Sequence, residues 1–169
     1  MYALRKFDIE TDKVIKMTKL NYIMVSAALI WIGFTSAISF MEAWIKFKAP
    51  MVTLPIGLGI GRLVFSALNK VEWVLAFIIA VVFIYQFVAL NKNNLHAIID
   101  LWFTFVVVLV ILVLETFWLL PKLDKRASAI IAGNSLPASS LHIYFIGAEC
   151  IKISLLIYFS IQFFLLKHV

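Results

Sequence analysis

The sequence predicts an all-α integral membrane protein: a four-helix bundle with an additional amphipathic interfacial helix between the first and second spans. Three observations carry this. The 169 residues are 64% hydrophobic and 14% charged, with a mean hydropathy of +1.04, whereas a soluble domain averages about 45–50% apolar and about 25% charged residues. Several apolar runs exceed the roughly 18 residues that mark a membrane helix. Charged and turn-forming residues cut these runs into four.

The first span is expected over 20–42, with helix continuing to about Phe47. At about 1.5 Å per residue it can cross a hydrocarbon core of about 30 Å. Basic residues Arg5, Lys6, Lys13, Lys16 and Lys19 precede it, interrupted by Asp8, Glu10 and Asp12. That mixed run reads as a solvated flank rather than a nucleic-acid tail, so the net charge of +6 is assigned to membrane flanking and no nucleic acid is expected as a partner. Its length and Trp31 favour a retained helix over a cleaved signal. The single cysteine, Cys150, excludes an intrachain disulfide and reads as a small packing residue.

Between the first two spans, Ala49-Pro50 leads to Thr53, a candidate N-cap, and Pro55 in a first helical turn. An amphipathic helix is expected over 55–69, with Arg62, Ser66 and Asn69 on one face. A single helix through to residue 90 would be about 54 Å long, so a bend is expected near Asn69 and Lys70. Gly57-x-Gly59-x-Gly61 lacks the Lys-Ser/Thr of a phosphate loop and reads as close packing through Gly57 and Gly61.

The second span is expected over 71–90 and the third over 95–120, joined by a short link at 91–94 into an antiparallel hairpin. Pro121 reads as a helix stop, followed by a long loop over 121–140 containing Gly133-Asn134-Ser135. The fourth span is expected over 141–166. Basic residues divide evenly between the two faces: five N-terminal ones with Lys92 and Lys167 on one, and Lys46, Lys48, Arg62, Lys70, Lys122, Lys125 and Arg126 on the other. Only the usual influence of the first helix then favours cytoplasmic termini, in a plasma or inner membrane. Trp44, Trp73 and Trp118 read as an interfacial belt.

Ionisable residues inside spans are costly and are functional candidates by default. Thr35, Ser39, Glu42 and Lys46 form a stripe on the first helix, and His142, Glu149 and Lys152 share a face of the fourth. Glu72 opens the second span, with Gln86 deeper, and Thr104 and Glu115 share a face of the third. Antiparallel alternation puts Glu42, Lys46, Glu72, Glu115, His142, Glu149 and Lys152 in one half of the bilayer, with Arg62 and Asn69 at that face. The expectation is a polar pocket, a funnel open opposite the termini, with Glu115, Glu149 and Lys152 at its floor. The competing reading is internal pairing that sets helix register, or snorkelling to water. His96, His142 and His168 are too scattered for a histidine metal site, and no residue pattern names a cofactor.

Ala49-Pro50 with the helix after it, Leu120-Pro121-Lys122-Leu123-Asp124-Lys125-Arg126, and Leu141-His142 together make the chain resemble a family of small four-helix membrane proteins of unknown function, distantly similar to the copper-resistance CopD-type membrane domain. The resemblance implies the four-helix fold and a plasma-membrane location, and no established chemistry. A neighbouring branch, the HemJ-type oxidases, uses haem; this chain departs from it in having no histidine in its first or second span. The expected activity is binding or conduction of a small polar solute, ion or proton. The alternatives are a non-catalytic subunit of a larger membrane complex and a metal- or haem-linked redox protein. Expected partners are membrane lipid, with membrane proteins or further copies of the chain.

Overall fold

The computed structural model describes the backbone of residues 2–89 and 95–166 and the side chains of 18–88 and 100–163. The expected link at 91–94 lies outside these residues, as do Lys92, Lys167 and His168 and the side chains of Arg5, Lys6, Lys13, Lys16 and His96. The described chain is helical, without strands. Helix α1 (Tyr2–Thr35) runs into a π-helical segment, Ser36–Glu42, then a short α2 (Ala43–Ile45) and a 3₁₀ turn, Lys46–Lys48. Helix α3 covers Leu54–Ala89 and α4 Leu95–Leu114. A second π segment, Glu115–Leu119, joins α4 to α5 (Leu120–Ile131), and α6 covers Leu141–Leu166. Four stretches, Thr18–Lys48, Leu54–Val88, Asp100–Ile131 and Leu141–Phe163, are long and apolar enough to cross a membrane, the pattern of a multi-pass membrane protein. Large apolar side chains such as Phe77, Phe103 and Phe117 point outward, as lipid contact requires.

Two boundaries differ from expectation. Helix α3 is unbroken through Asn69 and Lys70, so no separate interfacial helix at 55–69 is present. A change from mixed to apolar composition does not interrupt hydrogen bonding, and neither proline nor glycine lies near the junction; Pro55 sits in the first turn, where its missing N–H costs nothing. Nor does Pro121 stop the third helix. The Leu120 N–H bonds the Glu115 carbonyl five residues back, and this widened turn makes room for the proline ring that a regular α-helix would not accept. Helical structure therefore occupies 121–131, where a loop was expected, and α5 is amphipathic, with Ala127 buried and Lys122 and Lys125 outward.

Helix α5 ends where Gly133 adopts φ +88°. Asn134 N–H bonds the Ala129 carbonyl and Gly133 N–H that of Ile130, each at 3.0 Å, the paired bonds of a Schellman stop. The turn before α3 places Pro50 ahead of Met51 at φ 66°, with Val52 N–H on the Ala49 carbonyl, the arrangement of a type II turn. Gly57 N–H bonds the Thr53 carbonyl at 2.9 Å, which puts Thr53 in the N-cap place.

Helix α1 packs between α3 and α6, and α4 closes the ring against α6 and α3. The half of the bundle nearer the termini is apolar and aromatic. Met24, Ala28, Ile79, Val108, Leu112 and Leu156 are all buried, and Phe83 stacks among Trp102, Phe105, Phe159 and Phe163 at centroid distances of 4.7–6.5 Å. Beyond them Gln86 Nε2 donates to Asn21 Oδ1 at 2.7 Å. Thr104 is buried here and satisfied by the Asp100 carbonyl, away from Glu115. At the opposite face Lys48 lies over Trp44 and Lys122 over Trp118, at 4.5 and 5.0 Å from the ring centroids. These half-exposed tryptophans fit an interfacial belt.

Candidate functional site: a buried carboxylate–lysine centre

The polar stripes converge at mid-bundle on Lys152 of α6. Its Nζ lies 2.5 Å from Glu115 Oε2, 2.6 Å from Glu72 Oε1 and 2.9 Å from Glu149 Oε2. All four residues are at most 2% exposed. Each acid comes from a different element: Glu72 from α3, Glu115 from the start of the second π segment, and Glu149 from α6 one turn before the lysine. Helix α1 supplies neutral donors. Trp31 Nε1 and Thr35 Oγ1 donate to Glu72 Oε1 at 2.8 and 3.2 Å, and Ser39 Oγ, inside the first π segment, donates to Glu149 Oε1 at 3.3 Å.

With every group ionised, three carboxylates surround one ammonium and the centre carries two uncompensated negative charges. Charge buried in low-dielectric surroundings is tolerated only when paired and hydrogen-bonded. Here Glu115 Oε1 has no hydrogen-bond partner among the described residues, and Glu149 Oε2, although near the ammonium, is not aligned to accept from it. The donors present satisfy only part of the carboxylate surface, so the centre has open sites for protons or a further cation. Carboxylate oxygens of Glu72, Glu115 and Glu149 lie within 4.8 Å of one another, a spacing that could hold a metal ion. The Lys152 ammonium lies within 3 Å of all three acids and would have to be displaced first. His142 does not join that group.

The remaining predicted residues lie further toward the face. A cavity of about 580 Å³ opens among the end of the first span, the first half of α3, α5 and the start of α6; Lys46, Arg62, Asn69 and His142 line it. Glu42 pairs with Lys46 at 3.1 Å. Asn69 Nδ2 and Trp73 Nε1 both donate to Thr116 Oγ1, at 2.9 and 3.0 Å. Arg62 grips Asp124 of α5 through two bonds of 2.5 and 3.1 Å, on the exposed side. Such an exposed pair contributes little: Arg62→Ala is expected to cost less than about 1 kcal/mol in denaturant unfolding, while a larger loss would make this contact a principal anchor of α5.

Glu72, Glu115, Glu149 and Lys152 are not among the residues that line this cavity. Leu68, Leu119 and Phe145 are each at most 3% exposed, and each lies four residues from Glu72, Glu115 and Glu149 respectively on the side of the cavity. One helical turn, about 6 Å, separates each from its acid. These three buried apolar side chains, one turn from the acids, make up an apolar collar, with Phe145 edge-on to Phe65 of the cavity wall at 5.2 Å. Gly57 and Gly61 serve the cavity wall: a Cβ on Gly57 would overlap the Phe47 ring, and one on Gly61 would come 2.7 Å from Lys46 Nζ.

No family model, curated protein or solved structure matches this chain. The similarity to CopD-type domains accordingly remains an expectation from the short motifs, and the functional reading rests on the geometry of the centre itself.

Proposed function

We propose that this chain is a proton-exchanging membrane protein whose proton-binding centre is Glu72, Glu115, Glu149 and Lys152. The observation that carries the reading is the imbalance of three buried carboxylates around one buried ammonium. Ion pairing for stability alone needs one acid per base, and the surplus acids cost several kcal/mol each when left charged in an apolar interior. Buried intramembrane acids that exchange protons are a recurrent element of pumps and transporters. The cavity reaches Asn69 and Thr116, within one turn of Glu72 and Glu115, and supplies access from one face. The collar of Leu68, Leu119 and Phe145 is suited to gate that access, because an apolar constriction excludes water until its side chains part. The aromatic layer around Phe83 closes the other half. With cytoplasmic termini in a plasma or inner membrane, the cavity opens outside, and the first turns of α3 lie at that outer interface with α5.

Reconstitution in liposomes tests the reading. With a valinomycin-clamped potassium gradient and an internal pH-sensitive dye, the wild-type chain is expected to pass protons faster than empty vesicles. Glu149→Gln is expected to slow the flux at least about tenfold, whereas Glu42→Gln, outside the collar, stays within about twofold. Flux equal to that of empty vesicles, or undiminished in Glu149→Gln, refutes the proposal.

A further inference from the structure

We infer that the cavity at the face is a binding site for an amphipathic anion, a carboxylate or phosphate head group on an apolar body. This goes beyond the proton-binding centre and does not depend on it. Four segments distant in sequence meet at the same cavity: three bring a cation, Lys46 from the 3₁₀ turn, Arg62 from α3 and Arg126 from α5, and α6 adds the imidazole of His142 as a hydrogen-bonding group. Convergence from four segments is not what one amphipathic helix snorkelling to an interface produces. Among the lining residues Asp124 is the sole acid, and it is taken by Arg62. Glu42 meets Lys46 from outside the lining. Arg126 bonds the Pro137 carbonyl, which holds the guanidinium in place and leaves its charge unmatched. Behind the bases the walls are mostly apolar, including Phe47, Leu58, Phe65 and Leu123, with Ser66, Asn69 and Thr116 among them. A basic rim disfavours cations, and apolar walls disfavour small polar solutes. An anionic head group with an alkyl body satisfies both, and about 580 Å³ falls within the 300–1,000 Å³ range of small-molecule sites.

The head group can belong to a bilayer lipid or to a free acid, so the test has two arms. The full chain is placed in nanodiscs of phosphatidylcholine, and binding of radiolabelled decanoate above that of empty discs is followed at equilibrium with no proton gradient. Saturable decanoate binding is expected, with decanol a poor competitor. Arg126→Gln, which keeps an amide donor for Pro137, is expected to weaken binding about tenfold; Asp124→Asn, which releases Arg62, is expected to tighten it. Doping the discs with phosphatidylglycerol separates the sources. Displacement of decanoate identifies a lipid head group, and unchanged decanoate binding identifies a free anion, each in support. Non-saturable binding of both probes, equal competition by decanol, or an Arg126→Gln affinity equal to wild type overturns the inference. Because no proton gradient is applied, loss of proton flux in the liposome assay leaves this result standing, and the converse holds.

Discussion

Lys152→Met is expected to destabilise the protein more than substitution of any other single charged residue, by about 3–5 kcal/mol, the usual consequence of removing one partner from a buried ion pair. Among the described residues the lysine is the sole cation within 3 Å of Glu72, Glu115 and Glu149. Without it three carboxylates face one another in an apolar interior. The thermal midpoint in mild detergent should fall by roughly 10 °C, taking about 2–4 °C per kcal/mol for a chain of this size. Combining Lys152→Met with Glu115→Gln supplies the decisive comparison. Glutamine cannot repel its neighbours as a carboxylate does, so the double variant should lose at least about 1 kcal/mol less than the sum of the two single losses. Strict additivity would mean that the groups do not act as one unit, and the centre would dissolve into unrelated contacts.

At Trp31 two contributions can be separated. The side chain is fully buried and donates its indole N–H to Glu72. Trp31→Ala removes both the ring and the donor, and an effect of about 3–5 kcal/mol is expected from the lost packing alone. Trp31→Phe retains most of the ring and loses the bond to a charged acceptor, for which about 1.5–3 kcal/mol is expected. Chemical unfolding of the two variants reads the split directly. A phenylalanine variant as stable as wild type would assign the indole a purely steric role and leave Thr35 as the donor from α1 to Glu72.

The four spans and the depth of the charges were legible because both follow from local pattern. Hydropathy marks the spans, and helical periodicity puts Glu149 and Lys152 on one face with Thr35 and Ser39 on another. Antiparallel alternation then brings Glu72 and Glu115 to the same level. Trp31 belonged to the same signal, four residues before Thr35 on the stripe, but a tryptophan in an apolar run carries no contrast with its surroundings. The collar escaped for the same reason: Leu68, Leu119 and Phe145 are apolar residues in apolar helices, and only their common offset of four from an acid distinguishes them. The misplaced helix end at Pro121 has a different origin. The rule that proline stops a helix assumes α-type hydrogen bonding, and nothing in Glu115–Leu119 announces a π segment. Likewise the polarity change near Lys70 is a change of side-chain composition and says nothing about whether the backbone of α3 continues.

The two π segments also bear on how such a bundle can diversify. A π turn holds an extra residue, so the helix beyond it is out of phase with the helix before it by about 100°. The first span therefore consists of two lengths with separately set faces: Trp31 and Thr35 address Glu72 on one neighbour, and Ser39 addresses Glu149 on another. The third span changes phase at the level of Glu115, between the residues that pack on the aromatic layer and those that carry α5. The half of the molecule that carries the cavity can accordingly be re-aimed while the aromatic half keeps its packing unchanged.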